Sequence, residues 1–417
     1  MAKKKLSYSW GLLILCWMAY TCSVIGKVNY SANIIQVESF FNVSHAEAGL
    51  VGTFYFFSYG TGQIINGFLC KKYNLKYVVF VGLLGAGLCN LAVGLTTNFE
   101  LIKVLWLFNG IFLSVLWPCL IRLLSECLSR RKMSRASTVI STTTATGTFL
   151  IYALSALFVS IADFRFAFYT AAIVLPAVAF TWLLSFEKLS KGAKAEAEAE
   201  EKKEDIPVRA NEQPGKTKLS AEIWGTIILF ALFAVATNLV KDGLHTWVPS
   251  ILKESFGFSP SLSIILTLVL PVIGIFGNLI AQSLYKWVKS FVGVDGLIFF
   301  AIGVGLLGVI GALTFGWAVV VLIGFGIASC LSSSSNSTIT SIFPLYMKGK
   351  INSGLMAGIL NGCCYVGSAL SSYVLGAVAD ASGWNAVFYL LVGVCAVVCV
   401  MALTFTIIVK SKKKKEQ

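Results

Sequence analysis

Two lysines stand where water does not easily reach. Lys27 lies in the first apolar run of the chain, eleven residues before Glu38. At about 1.5 Å per helical residue that is roughly 16 Å from the end of the run, too far for easy snorkelling. Lys241 holds the corresponding place in a later run, 214 residues on. A lysine at mid-membrane costs about 2.5–3.5 kcal/mol on insertion scales, so the pair costs roughly 5–7 kcal/mol unless something offsets it. An anionic ligand gripped by both is one answer; an internal acid, with Asp242 next to Lys241, is the other. Adjacent helical residues point about 100° apart, which places Asp242 poorly for neutralising Lys241 on the same helix. The chemistry implied is the binding of an anion.

Other polar side chains share these faces at helical spacing. Tyr30 and Ser31 follow Lys27 at i+3 and i+4, while Asn238 and His245 flank Lys241 at i−3 and i+4. Tyr59, Gln63 and Asn66 form a stripe in the second run, Thr142 and Thr146 in the fifth, Asn361 and Tyr365 in the eleventh. Each can bond a ligand, and each can equally bond a neighbouring helix. For His245, a core or gate role stands beside ligand contact. The run Ser332 to Ser335 with Asn336 suits either close packing or a polar lining. Gly358, Gly362, Gly367 and Gly376 suit close helix approach. The eleven cysteines are scattered through apolar segments and read as small packing residues. Asp242 and Glu126 are the candidate proton carriers. No Walker loop, metal-ligand cluster or nucleophile–base set stands out. The chain therefore reads as a non-enzyme that needs no cofactor or metal.

The elements that hold these residues follow from composition. Of 417 residues, 57% are hydrophobic and only 12% charged, with a mean hydropathy of +0.81, the make-up of a membrane protein. The net charge of +14 does not signal nucleic acid, because Lys and Arg cluster in alternate loops between apolar runs: Lys3 to Lys5, Lys71–Lys72 with Lys76, Arg130 to Lys132 with Arg135, Lys286 with Lys289, Lys348 with Lys350, and Lys410 with Lys412 to Lys415. The positive-inside bias then places both termini in the cytoplasm and requires an even number of spans. The first run continues to spanning length without a small-residue cleavage site, which argues against a signal peptide. Spans are predicted near 8–37, 44–70, 77–96, 100–129, 134–161, 165–187, 221–254, 260–288, 292–314, 316–346, 350–381 and 384–410. These runs are about twice the length of a barrel strand and lack its alternation. The chain is read as an all-α protein of twelve transmembrane helices in the cell (plasma or inner) membrane, monomeric in the lipid bilayer.

The only long hydrophilic stretch, 188–220, is too poor in apolar residues to fold alone and is read as a cytoplasmic linker between six-helix halves at 1–187 and 221–417. The halves repeat. Phe41-Asn42-Val43-Ser44 resembles Phe256-Gly257-Phe258-Ser259, with Ser44 and Ser259 215 residues apart. Ala162-Asp163 with Phe168-Tyr169 recurs as Ala379-Asp380 with Phe388-Tyr389, the acids 217 apart. Lys27 and Lys241, 214 apart, keep nearly the same step. Parallel duplication of this kind builds carriers whose substrate sits near mid-membrane.

Two such halves joined by a hydrophilic loop resemble the major facilitator superfamily. Within it, the chain is similar to the organophosphate:phosphate antiporters over nearly its whole length. Lys27-Val28-Asn29-Tyr30 matches that family's basic-x-Asn-aromatic segment, and Lys241-Asp242-Gly243 with Trp247-Val248-Pro249 matches its second basic segment. Trp117-Pro118 with Arg122, and Tyr365-Val366-Gly367-Ser368, are similar to further family segments. The resemblance implies that Lys27 and Lys241 grip a small organic anion bearing phosphate, with Tyr365 assisting and inorganic phosphate as counter-substrate. It also implies departures. Both basic positions are Lys where the family has Arg, Gln63 replaces a substrate-facing Lys, Thr146 replaces a histidine, and Gly67 to Lys72 lacks the acid of the superfamily's loop motif. Related carriers of sugar acids have a basic residue at the Lys27 position, so carboxylate transport with proton coupling is the second expectation. A non-transporting solute sensor is the third.

Overall fold

The computed structural model describes residues 7–203, 221–347 and 353–415, and all of their regular structure is helical. In chain order the helices are α1 (Tyr8–Ala32), α2 (Ile34–Phe41), α3 (His45–Leu69), α4 (Leu75–Leu95), α5 (Phe99–Ser114), α6 (Leu116–Cys127), α7 (Arg130–Ile161), α8 (Arg165–Lys203), α9 (Ala221–Phe256), α10 (Pro260–Thr267), α11 (Val269–Gly274), α12 (Gly277–Val288), α13 (Phe291–Thr314), α14 (Ala318–Ser337), α15 (Phe343–Tyr346) and α16 (Ser353–Lys415). A 3₁₀ turn, Cys70–Lys72, follows α3, and a π-helical turn, Thr338–Ile342, joins α14 to α15. Lys3 to Lys5, Lys348, Lys350 and linker residues 204–220 lie outside the described residues.

Ten helical stretches among the described residues are long and apolar enough to cross a membrane. One of them, Met356–Val409, breaks at Gly383, whose φ of 76° is left-handed, into two spans. The polar, glycine-rich α3 makes the twelfth. Large apolar side chains stay uncovered along these helices, with Leu184 82% and Ile173 70% exposed. In water that would be a liability; in hydrocarbon it is the expected outer surface.

Local signals explain the boundaries. Asn74 and Asn98 cap α4 and α5, their side chains accepting from Lys76 and Glu100 amides at 3.1 and 2.9 Å. The repeated four-residue motif has one structural meaning in both copies. Asn42 (φ 52°) and Gly257 (φ 66°) end a helix in the left-handed region. Ser44 and Ser259 then open the next helix, accepting from the Glu47 and Leu262 amides. Glu47 also returns a bond to the Ser44 amide, a reciprocal capping box.

Part of the hydrophilic stretch after 187 is helical. Residues 188–203 continue α8, because Ala, Glu and Lys are strong helix formers and their acids find partners. Glu196 accepts from Ser7 Oγ at 2.5 Å, Ser9 Oγ at 2.7 Å and the Tyr8 amide at 2.8 Å. Glu200 accepts from Ser129 and pairs with Lys132 at 2.5 Å.

By packing, the chain divides into two compact units, Met1–Asn29 with Thr61–Glu212, and Tyr30–Gly60 with Gln213–Gln417. In the first unit α4 lies along α8 and α5, with Gly87 against Pro176 and Gly85 against Phe112. In the second, α9 packs on α16, and α13 on α14 and α16. Residues 45–60 of α3 go with this unit because their glycines meet α16: Gly49 and Gly52 abut Ser372, Gly60 abuts Tyr365. Thr53 adds a hydrogen bond to the Ala369 carbonyl at 2.7 Å. Close approach also holds at Gly367, against the Val235 carbonyl, and at Gly376, against the His45 carbonyl. Gly358 differs, with nothing within 4 Å of an added Cβ; it is exposed.

Candidate functional site

In the first unit, the stretch of α1 that carries Lys27 is anchored by buried hydrogen bonds. The preceding residue, Gly26, offers its carbonyl to two buried amides, Asn90 Nδ2 of α4 at 3.0 Å and Asn109 Nδ2 of α5 at 2.9 Å. Asn29 Nδ2 then donates to Asn90 Oδ1 at 2.7 Å. All three asparagines are fully buried. A Cβ at Gly26 would meet the tip of Leu175, which would have to shift. The register of α1 is thus fixed from two sides within three residues of the lysine. The ammonium lies 5.6 Å from the centroid of the Tyr20 ring, within cation–π range, and Tyr20 is backed by Trp117 at 4.8 Å.

The remaining first-unit candidates vary. Thr146 precedes Gly147, which fits against Thr21 and Val24 of α1; one turn away Thr142 accepts from Trp17 Nε1 at 3.0 Å. Gln63 is buried beside Gly62, which abuts Ser114. Asn66 is committed to structure, donating to Ser114 Oγ at 2.9 Å and accepting from Tyr73 at 3.0 Å. Glu126 pairs with Arg122 at 2.7 Å near the end of α6. The same guanidinium donates to the Cys70 and Tyr73 carbonyls. It holds the turn that carries Lys71 and Lys72, in which the motif acid is missing.

In the second unit, Lys241 and Asp242 share α9. Asp242 Oδ2 is engaged: it accepts from Ser368 Oγ at 2.5 Å and Asn238 Nδ2 at 3.2 Å. Asn238 Nδ2 also donates to Ser368 Oγ at 3.1 Å, and its Oδ1 accepts from Asn336 Nδ2 at 3.0 Å. Asn238 and Asp242 therefore tie α9 to α14 and α16. Lys241 Nζ lies 3.9 Å from Asp242 Oδ1, an ion pair longer than a charge-assisted hydrogen bond of about 2.7–2.9 Å. The acid that sequence reasoning doubted as a counter-ion is close, with most of its bonding directed elsewhere.

His245 Nε2 meets Ser329 Oγ at 3.1 Å, and Ser329 donates to the Leu270 carbonyl. Nε2 is therefore the donor, and the histidine ties α9 to α14. Tyr30 is buried, its hydroxyl donating to the Ala48 carbonyl at 2.8 Å. Tyr59 and Tyr365 come together edge to face at 4.9 Å, with Tyr55 stacked on Tyr59 at 5.4 Å. Asn361 lies one turn before Tyr365 on α16, half-buried.

A second constellation escaped sequence reading. His45, opening α3, sits between Glu38 (Nδ1 to Oε1, 2.8 Å) and Glu254 (Nε2 to Oε1, 3.2 Å). Trp247 and Trp384 flank its ring at 5.6 and 5.2 Å. The carboxylate of Asp380 accepts from the His45 and Ala46 amides at 3.1 and 2.8 Å, and Trp384 Nε1 donates to Glu254 at 2.8 Å. Its hydrogen-bonded members lie up to 335 residues apart, so spacing carries no signal. Asn90 and Asn109 were visible as rare polar residues in apolar runs; their shared target, a backbone carbonyl, was not.

The model of the major facilitator superfamily matches residues 16–355. The chain belongs to this superfamily. A probable hexose phosphate transport protein of Chlamydia muridarum is 24% identical over 380 residues, covering 85% of this chain and 81% of the relative. Sugar phosphate exchanger 3 of Homo sapiens is 23% identical over 398 residues, covering 85% and 79%. The membrane sensor protein UhpC of Escherichia coli is 25% identical over 119 residues, 28% of this chain and 27% of the sensor. Among solved structures, a bacterial homologue of the human lysosomal transporter Spinster superposes with a TM-score of 0.77 at 13% identity, over 96% of this chain and 97% of that one. The D-xylose–proton symporter gives 0.70 at 14% identity, over 96% and 97%. These structures show the shared fold: all-α, membrane-spanning, and common to carriers of unlike solutes.

Proposed function

We propose that this protein is a secondary carrier that moves a small organic anion by alternating access, exchanging a phosphate ester for inorganic phosphate. In this reading Lys27 and Lys241 supply positive charge for the anion, and Tyr59 and Tyr365 supply hydroxyl and aromatic groups. The supporting observation is the duplicated lysine: a cation in a membrane span at the same place in each repeat, its helix held by buried amides. The named relatives that align over most of the chain are hexose phosphate and sugar phosphate carriers. The match to a sensor covers a much smaller share, which favours transport over sensing. Both termini are cytoplasmic in this reading, and the membrane is the plasma or inner membrane.

Counterflow tests it. Proteoliposomes holding the purified protein are loaded with inorganic phosphate and offered hexose phosphate, glycerol phosphate or a sugar acid. Uptake of a phosphate ester that requires internal phosphate is the expected result. Uptake of sugar acids alone, driven without internal phosphate, transfers the assignment to carboxylates. Binding without flux of any of them makes the protein a sensor.

A further inference from the structure

Asp295 lies within α13 and is fully buried. It is not among the residues proposed for the anion site. Neither carboxylate oxygen accepts a hydrogen bond from the described residues. Ser335 of α14 lies beside the carboxyl, and its hydroxyl is shared with Thr237 of α9 at 2.9 Å. Buried ionised carboxylates are paired, coordinate a cation or take up a proton, because desolvating the bare charge costs several kcal/mol.

The contacts that neighbouring helices make along this stretch of α13 bring no counter-charge. From α9 and α14 come the hydroxyls of Thr237 and Ser335. From α16, Cys399 Sγ donates to the Gly296 carbonyl and Cys395 packs at Gly303. From α12, Tyr285 stacks on Phe291 at the start of α13, 4.2 Å between ring centroids. Among the described residues, no ion pair to Asp295 is formed. Lys241 and Asp242 lie about one turn beyond Thr237 on α9, and Lys241, at i+4, is on the Thr237 face.

We propose that Asp295 is a proton-binding site of the carrier, loaded and unloaded once per transport cycle. Its carboxylate takes a proton from water and becomes the neutral acid, then returns the same proton to water. Two features suit the site to this work. Ser335 and Thr237 lead from the carboxyl to the α9 face that bears Lys241, so protonation and anion occupancy are linked through one helix. The π-helical turn at Thr338–Ile342 begins three residues after Ser335, and such turns are irregularities that recur at functional positions. Beyond it, Phe291, Phe343 and Tyr346 close together, Phe291 being 5.8 and 5.1 Å from the other two rings. A shift of that turn opens a water path to the acid. This coupling rests on the carrier reading above.

The test uses the full-length protein, with inorganic phosphate as the transport probe. Infrared difference spectra on acidification should show the carbonyl stretch of a buried carboxylic acid that titrates reversibly, disappears in Asp295→Asn and shifts its midpoint in Ser335→Ala. In proteoliposomes loaded with unlabelled phosphate, an inward pH gradient of one unit should stimulate entry of labelled phosphate up to about tenfold, the worth of one coupled proton. That stimulation should fall to none in Asp295→Asn, with both variants monodisperse in detergent. A band that does not titrate, a gradient response preserved in Asp295→Asn, or stimulation by a sodium gradient instead overturns the proposal. If the wild type moves no phosphate, the carrier assignment fails, and the infrared titration still decides Asp295 alone.

Discussion

A lysine offers a point charge on a flexible stem, whereas arginine offers a fork that matches phosphate in two places. In the proposed site, Lys27 and Lys241 lack that fork but stand on firmly held helices. The Gly26 carbonyl is clamped by Asn90 and Asn109, and Asp242 is held by Asn238 and Ser368, so both helices present their ammonium groups in fixed register. Lys27→Gln and Lys241→Gln are each expected to weaken phosphate-ester binding by about 10- to 100-fold, the worth of a hydrogen bond to a charged group at about 1.5–3 kcal/mol. Calorimetric titration in detergent reads the loss, with membrane insertion unchanged; wild-type affinity in either variant assigns that lysine to structure. Asn90→Ala is expected to act in two ways. It leaves Asn29 and the Gly26 carbonyl short of partners, costing about 1–3 kcal/mol of stability, and it loosens Lys27, raising the KM for anion more than it lowers the maximal rate. An unchanged KM removes the positioning role from Asn90.

Helices meet in this protein through small residues, and the contacts separate glycines that sequence alone treats alike. Gly367 lies against the Val235 carbonyl, so Gly367→Ala must push α16 off α9; Gly358 has open space around it. Gly358→Ala should therefore be neutral or stabilising by up to about 1 kcal/mol, the helix-propensity gain, while Gly367→Ala should destabilise by about 1–3 kcal/mol through overpacking. Thermal unfolding in detergent compares them, and equal melting shifts would contradict the packing. The extension of α8 makes a separate claim about acid. Partial burial disfavours the Glu196 charge, yet the hydroxyls of Ser7 and Ser9 and the amides of Ser9 and Tyr8 hold its carboxyl down at about 2, against roughly 4.3 for a free glutamate. A depressed folded value means the clasp contributes fully above the unfolded value and is lost as pH falls toward 2. Melting of the wild type should drop over that window more than melting of Glu196→Gln, and parallel acid profiles would show that the clasp adds nothing.

On the scale of the whole molecule, lipid makes hydropathy a direct record of span positions, since every spanning backbone must satisfy itself internally. That is why the twelve runs were legible, and with them the repeat that pairs Asn42 with Gly257; that both residues end a helix in the left-handed region was not. What stayed hidden depends on distance in space. The His45 constellation draws on residues hundreds of positions apart, Asp295 is one acid inside an apolar run, and residues 188–203 looked unfoldable until the serines of the amino-terminal segment supplied partners for Glu196. Orientation in the membrane is the property that local packing leaves to charge. Lys and Arg crowd the loops after the second, fourth, eighth and tenth spans and both termini, and are sparse in the loops between. A bilayer retains such clusters on the cytoplasmic side. Single cysteines placed at Lys412 and Lys289, in a chain freed of its native cysteines, should resist a membrane-impermeant maleimide in intact cells and react after lysis. One placed at Asn98 or Ser259 should react in intact cells. The opposite pattern inverts the topology.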